Sequence, residues 1–277
     1  MCRWLAYWGT PVLLDTILYQ PAHSLIDQSL HSKLGVETTN GDGFGVGWYS
    51  AANDTPALLR EVGPAWSNRN LRELAGHVRS PLFFAHIRAS TGTAVQQSNC
   101  HPFRYGRWMF MHNGAIADFP RMRRDLSLLV DPGLYSDMEG TTDSEVMFYL
   151  TLTFGLEQDP PAAVATMAGV VERVGREHGV EFPLQMTIAL TDGERVWVFR
   201  YSSARASRSL FYSSRVDALR RLHPDLAFLR EVSDETRLVV SEPLGDLPGA
   251  WNEVPENSYG VIQPGDDELH RFAPAAA

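Results

Sequence analysis

Cysteine is scarce. The 277 residues hold only Cys2 and Cys100, which excludes a disulfide framework and suits a reducing compartment such as the cytoplasm. No apolar run approaches the roughly 20 residues that cross a membrane as a helix. Nor does a long apolar segment behind a basic start mark a secretion signal. Positive charge is also in deficit: 24 Lys and Arg stand against 33 Asp and Glu, a net charge of −9, whereas nucleic-acid-binding chains are basic. Nine histidines are present, but none shows a ligand spacing such as H-x3-H, and C-x2-C is absent, so neither a metal nor another cofactor is expected. No internal repeat, low-complexity linker or shift of composition divides the chain. One domain over residues 1–277, with Met1 removed, is the expected organisation, and its oligomeric state stays open.

Strand and helix signals alternate in an α+β pattern, with strands early and late and helices between. Residues 2–7 alternate as a short strand, and Thr10-Pro11 reads as the cap and first position of a helix through Leu18. Pro21 to Ser29 reads as loop or short helix. In Asn40-Gly-Asp-Gly-Phe-Gly-Val-Gly-Trp-Tyr49 the glycines Gly43, Gly45 and Gly47 alternate with apolar residues, leaving one strand face bare for close approach by a ligand or another backbone. The spacing is G-x-G-x-G, so it is not a dinucleotide-binding fingerprint. A capped helix over 67–78 precedes a strand over 83–90, with His86, Arg88 and Ser90 on one face. Trp108 to His112 is a strand that Asn113-Gly114 is expected to stop. Thr142-Asp-Ser-Glu145 is a capping-box pattern for a helix to about Phe154, and Pro161 to Glu177 is a second long helix. Met186–Leu190 and Arg195–Phe199 form a hairpin around Asp192-Gly193. Short strands follow at Leu210–Ser213, Arg237–Ser241 and Tyr259–Gln263, and Pro274–Ala277 reads as a frayed tail.

Cys2 follows the initiator methionine directly. Removal of Met1 makes it the N-terminal residue, with a thiol and an α-amine on neighbouring atoms. The amine titrates near ~7.7–8.0 and can act as general base for its own thiol. The plainer reading is a small residue that favours methionine removal. Arg88 has a similar double reading, as a sheet-edge side chain or as a guanidinium fork for a carboxylate. Asn113-Gly114 is either a turn or a pair of donors for an oxyanion. Asp143 either complements a helix dipole or balances a substrate ammonium. Together Arg88 and Asp143 supply the cation and anion that an amino acid's α-carboxylate and α-ammonium require, with Cys2 left to attack a carbonyl further along.

Met-Cys-Arg-Trp-Leu-Ala-Tyr, Asn-Gly-Asp-Gly-Phe-Gly-Val-Gly-Trp-Tyr, Ala-His-Ile-Arg-Ala-Ser-Thr-Gly, Asn-Cys-His-Pro-Phe, Met-His-Asn-Gly-Ala-Ile and Thr-Thr-Asp-Ser-Glu occur in this order in the chain. The series resembles class II glutamine amidotransferases, and most closely a stand-alone branch. That branch includes the amidotransferase-like subunit of glutathione degradation and the γ-glutamyl hydrolase of ergothioneine biosynthesis. The resemblance is dense from Cys2 to Glu145 and continues weakly at Val239-Val-Ser-Glu-Pro-Leu244. It implies an N-terminal nucleophile hydrolase fold, with two stacked antiparallel sheets between helical layers. It further implies Cys2 as nucleophile with its amine as base, Asn113 and Gly114 as oxyanion hole, Arg88 on the α-carboxylate and Asp143 on the α-amino group. Thr91 and His101 match positions lining the pocket. Ala89 and Gly92 stand where one branch of the family has Trp and His, a change that widens the pocket beyond free glutamine.

The expected activity is hydrolysis of the γ-amide of glutamine or of a γ-glutamyl compound through a Cys2 thioester. Ammonia or amine is then released, or delivered to a separate synthase or peptidase partner. Two alternatives remain beside it. One is a non-catalytic, regulatory glutamine- or γ-glutamyl-binding subunit. The other is a thiol dyad of Cys100 with His101 or His112, although Cys100 also reads as a small buried hydrophobe. Arg121, Arg123 and Arg124 read as a solvated helix face.

Overall fold

Side-chain alternation along the first strand sets the layers. In β1 (Arg3–Leu13), Trp4 and Ala6 belong to one core and Leu5 and Tyr7 to another, as the two-residue repeat of a strand requires. All four are at most 2% exposed, so both faces of the strand need cover. In the structure, a computed structural model that describes residues 2–34, 39–90 and 92–276, a second sheet covers one face and helices cover the other.

From β1 the chain enters the short helices α1 (Leu14–Leu18) and α2 (Leu25–His31), then the hairpin β2 (Phe44–Ser50) and β3 (Asn53–Glu61). Helix α3 (Arg69–His77) and strand β4 (Arg79–Ile87) follow, then β5 (Phe103–Tyr105) and β6 (Trp108–Ile116). Four helices come next: α4 (Phe119–Ser127), α5 (Pro132–Tyr135), α6 (Asp143–Thr153) and α7 (Pro160–Glu177). The hairpin β7 (Leu184–Thr191) and β8 (Val196–Ser202) leads to β9 (Phe211–Ser213), α8 (Val216–Leu222) and α9 (Ala227–Glu231). Strands β10 (Arg237–Val240), β11 (Trp251–Glu253), β12 (Ser258–Ile262) and β13 (Glu268–Arg271) complete the order.

One sheet runs β11-β9-β10-β1-β4-β2-β3 and the other β13-β12-β8-β7-β6-β5, with antiparallel pairing throughout. Trp4, Ala6, Leu82 and Phe84 of the first sheet meet Met109, Met111, Ala189 and Val198 of the second in the central core. Leu5, Tyr7, Phe83 and Ile87 face outward with α1, α2, α3, α8 and α9, while Phe110, Ile188 and Leu190 pack with α4, α6 and α7. The fold is α+β, two stacked antiparallel sheets between helical layers, as expected for an N-terminal nucleophile hydrolase.

Several local expectations need correction. Thr10-Pro11 does not start a helix. The strand runs on to Leu13 across an irregularity between Trp8 and Val12, where a proline's missing N–H costs no ladder bond. Asn113-Gly114 does not stop β6, which continues to Ile116 with Gly114 opposite Met186. Gly114 has φ +143, and a Cβ there would collide with the Gln185 carbonyl. Strand β4 begins at Arg79 and ends at Ile87. Beyond it Asp42 turns the chain, its amide donating to the Arg88 carbonyl and its carboxylate accepting from the Ser90 amide. The tail is not frayed before Ala277, which lies outside the described residues: Phe272 is buried, and the Ala275 amide donates to the Ala165 carbonyl at 2.8 Å on α7. Strands β3, β5, β11 and β13 and helices α5, α8 and α9 have no counterpart in the sequence reading. Arg121, Arg123 and Arg124 do lie on the exposed face of α4.

The bare face of β2 is filled by another backbone. A Cβ on Gly45 would meet the His101 carbonyl oxygen, and one on Gly47 would meet Met109 and Pro102. The glycines thus let the Cys100–Pro102 segment sink onto the sheet. Gly45→Ala is expected to destabilise the fold by about 1–3 kcal/mol through overpacking against backbone. A fall in the urea midpoint at constant m checks this, and an unchanged midpoint would contradict the seating of His101.

A buried ionic cluster fixes the start of β1. Arg3 Nε donates to Glu242 Oε2 at 2.7 Å, both side chains being nearly inaccessible, and Arg3 Nη1 donates to the Cys2 carbonyl at 3.0 Å. Glu242 also lies 2.5 Å from His23 Nε2 and accepts from the Lys33 and Leu34 amides. Burial pushes the Glu242 carboxyl up. Hydrogen bonds from His23, the two amides and Arg3 outweigh it and hold the pKa below the ordinary value. The charged acid therefore stabilises the fold fully above the unfolded-chain pKa of about 4.3, and the contribution fades as pH falls through the lower folded value. Glu242→Gln is expected to lose about 3–5 kcal/mol at neutral pH. Urea unfolding should show that gap narrowing below about pH 4, and equal midpoints at neutral pH would contradict it.

Candidate active site

Strand parity places the chemistry between the sheets. Cys2 precedes Trp4 by two residues and shares its inward direction, His86 shares that of Phe84, and Asn113 that of Met111. The pairings Trp4↔His86 and Arg3↔Ile87 set Cys2 beside Arg88, and Cys2 Sγ lies 3.5 Å from the Ala89 carbonyl. Asn113, from the opposite sheet, donates from its Nδ2 to the Cys2 carbonyl at 2.9 Å.

One cavity of about 520 Å3 is lined by Cys2, Arg88, His101, Asn113, Gly114 and Asp143 together. Every sequence-predicted site residue except Thr91, which lies outside the described residues, borders it. Ala89 and Gly92, the two small residues expected to widen a pocket, border it as well.

The loop after β4 holds Arg88 from one side. Nη2 donates to Ser90 Oγ, Thr93 Oγ1 and the Ala94 carbonyl, while Nη1 is buried with no hydrogen-bond partner. Asp143 opens α6, where Thr142 caps the helix by accepting from the Glu145 amide. One Asp143 oxygen accepts from the Ile116 amide and the other from the Ser144 amide, both at 2.8 Å. Neither Arg88 nor Asp143 forms an ion pair among the described residues. A cation and an anion, both uncancelled by protein, thus border one cavity beside a thiol.

Burial sets the protonation states. It pushes the Cys2 thiol up, against the opposing pull of neighbouring positive charge, so the thiol needs a base to become nucleophilic. It pulls His86 down to about 3 and His101 and His112 below the ordinary imidazole range, so all three are neutral near pH 7. His101 stacks between His86 and Phe103, and both its ring nitrogens lack partners. His112 is engaged by Ser144 Oγ at 2.8 Å and the Gln185 carbonyl at 3.3 Å.

His86 escaped the sequence reading as a site residue. Its Nε2–H donates to Asn113 Oδ1 at 3.2 Å, which turns the Asn113 amide so that Nδ2 faces Cys2. The signal was its position on the same face as Arg88, two residues away. Arg208 also escaped, and it lines the cavity from the segment between β8 and β9. Cys100 does not serve as a dyad thiol. It is fully buried, does not line the cavity, and its Sγ contacts the Glu61 and Gln96 carbonyls rather than a histidine. Among the described residues there is no cluster of three or more His, Cys, Asp or Glu that could hold a metal, and no helix is long and apolar enough to cross a membrane.

The chain is similar to known proteins in both sequence and fold. The chain is 33% identical over 299 residues to the probable glutamine amidotransferase DUG3 of Saccharomyces cerevisiae, covering 98% of this chain and 84% of that one. It is 27% identical over 264 residues to the gamma-glutamyl-hercynylcysteine sulfoxide hydrolase of Mycolicibacterium smegmatis, covering 92% and 93%. Among solved structures, a glutamine aminotransferase class-II domain protein from Silicibacter pomeroyi superposes with a TM-score of 0.75 at 33% identity, covering 99% of this chain and all of that one. The phosphoribosylpyrophosphate amidotransferase of B. subtilis shares the fold at 15% identity and a TM-score of 0.60, over 99% of this chain and half of its own. The family described as class-II glutamine amidotransferases matches residues 19–274. The chain belongs to that family.

Proposed function

We propose that the chain is an N-terminal-nucleophile amidohydrolase that cleaves the γ-amide of glutamine or of a γ-glutamyl compound. The observation that carries this reading is the single cavity in which the Cys2 thiol meets an uncancelled Arg88–Asp143 pair and the Asn113 amide. Family membership supports the reaction class, as does the similarity to two relatives, a probable glutamine amidotransferase and a hydrolase of a γ-glutamyl derivative.

In this proposal Met1 is removed and the freed α-amine of Cys2 takes the thiol proton. That base answers the raised thiol pKa. Arg88 grips the α-carboxylate through its unpartnered Nη1, and Asp143 pairs with the α-ammonium. The sulfur attacks the γ-carbonyl carbon, and the oxygen, now charged, accepts hydrogen bonds from Asn113 Nδ2 and the Gly114 amide. The C–N bond breaks, the amine leaves with the proton held by the α-ammonium of Cys2, and a glutamyl thioester remains. Water, deprotonated by the same amine, cleaves the thioester to glutamate and restores the thiol. Thr91 and His101 line the substrate in this scheme. The proposed setting is the cytoplasm, within one domain, with the amine product released or passed to a separate synthase or peptidase partner.

Cys2→Ala is expected to lower glutamate release from glutamine and γ-glutamyl peptides by at least about a thousandfold. Chain that retains Met1 on mass analysis should be inactive as well. Turnover surviving in either would remove the proposal, and ligand binding without any glutamate release by the wild type would favour the non-catalytic reading. Arg88→Gln and Asp143→Asn each remove one charge-assisted contact to the amino-acid end. Each should cost on the order of 10- to 100-fold in kcat/KM, and unchanged kinetics would show that the substrate's α-groups bind elsewhere.

A further inference from the structure

Four formally charged side chains line the cavity, and three have assignments. Asp118 is paired with Arg121 at 3.0 Å, while Arg88 and Asp143 face the two ends of an amino acid in the proposed reaction. The fourth is Arg208. No ion pair or hydrogen bond of its guanidinium exists among the described residues, and its Nε is buried without a partner. Burying even part of a charge without compensation is costly, and the arginine nearby shows the ordinary remedy. Arg200 binds Glu253 at 2.6 Å and approaches Glu256 at 3.8 Å.

The backbone carrying Arg208 is tied down on both sides. Gln185 Nε2 donates to the Ala206 carbonyl, and Gln185 pairs with Ala115, next to Gly114. On the other side Ser209 Oγ donates to the Ser241 carbonyl at 2.8 Å, and the Ser241 amide donates to Trp4, two residues from Cys2. The segment carrying Arg208 is therefore held between β7, which pairs with the strand that carries Gly114, and the chain after β10, which pairs with β1. Its cation borders the same cavity as Cys2 and Gly114. The volume of about 520 Å3 falls among sites for drug-sized ligands, roughly 300–1,000 Å3, and Ala89 and Gly92 keep its wall low.

We propose that Arg208 is a specificity-determining residue that binds a carboxylate on the amine half of the scissile amide, so that the preferred substrates are γ-glutamyl-amino acids or peptides rather than glutamine. The proposal rests on the γ-glutamyl reading above. The glutamyl half consumes Arg88 and Asp143, one charge of each sign, so the surplus positive charge is left for whatever the γ-carbonyl is bonded to. A planar guanidinium matches a carboxylate bidentately.

The test compares kcat/KM for γ-glutamyl-glycine and its C-terminal amide, which differ only in that carboxylate, using full-length chain shown by mass to lack Met1. The wild type is expected to favour the free acid. Arg208→Gln should reduce the acid-to-amide ratio by on the order of 10- to 100-fold, and Arg208→Lys should restore part of it. A wild-type ratio near one, or a ratio unchanged in Arg208→Gln, overturns the assignment while leaving γ-glutamyl hydrolysis standing. No turnover of either peptide or of glutamine overturns both.

Discussion

The bond between Arg3 and Glu242 is the constraint on which the site depends. Two charges only 3% and 2% exposed are expensive to remove from water, and the cost is met only because every available partner is in place. Glu242 gathers Arg3, His23 and the amides of Lys33 and Leu34, which ties the β1 start, the chain after α2 and the chain after β10 to one carboxylate. Arg3 also donates to the Cys2 carbonyl. Asn113 arrives at the same carbonyl from the other sheet. The residue proposed to carry the reaction is thus held by its backbone from both layers, while its thiol, 3.5 Å from the Ala89 carbonyl, borders the cavity.

That arrangement follows from the two-sheet architecture. Because strand side chains alternate, the positions that build the central core also point Cys2, His86 and Asn113 at one another once the core residues run out at the strand ends. The glycines of β2 contribute by what they omit, admitting the Cys100–Pro102 backbone where side chains would otherwise stand and bringing His101 to the cavity wall. Neutral histidines suit this place. His86 can donate to Asn113 without adding a charge that would compete with Arg88 for an anion.

Much of this was readable before any coordinates, because the signals are local. Cys2 behind Met1, Arg88 on a strand short of charge, and Asp143 in a capped helix start each carry their meaning within a few residues. His86 and Arg208 did not. The role of His86 depends on an amide brought across from the other sheet, and that of Arg208 on a segment strung between Gln185 and Ser241. The errors share a cause. Thr10-Pro11 satisfies the rule for a helix start and equally a strand irregularity. Asn113-Gly114 satisfies the rule for a turn and equally a glycine forced to φ +143 beside a neighbouring backbone. The alanine-rich tail looked free because nothing in its own residues reveals that Gly169 on α7 leaves room for its backbone. Tertiary neighbours decide such cases, and a single sequence does not display them.

The central claim is that the reaction passes through Cys2 as an acyl-enzyme. It is tested most directly by acid-quenching the Met1-processed chain during turnover of a γ-glutamyl substrate and mapping the covalent adduct by peptide mass spectrometry. The account predicts a glutamyl increment on the N-terminal peptide that begins with Cys2, lost on treatment with hydroxylamine. A glutamyl increment on the peptide containing Cys100, or steady turnover with no adduct on either cysteine at any quench time, would contradict it.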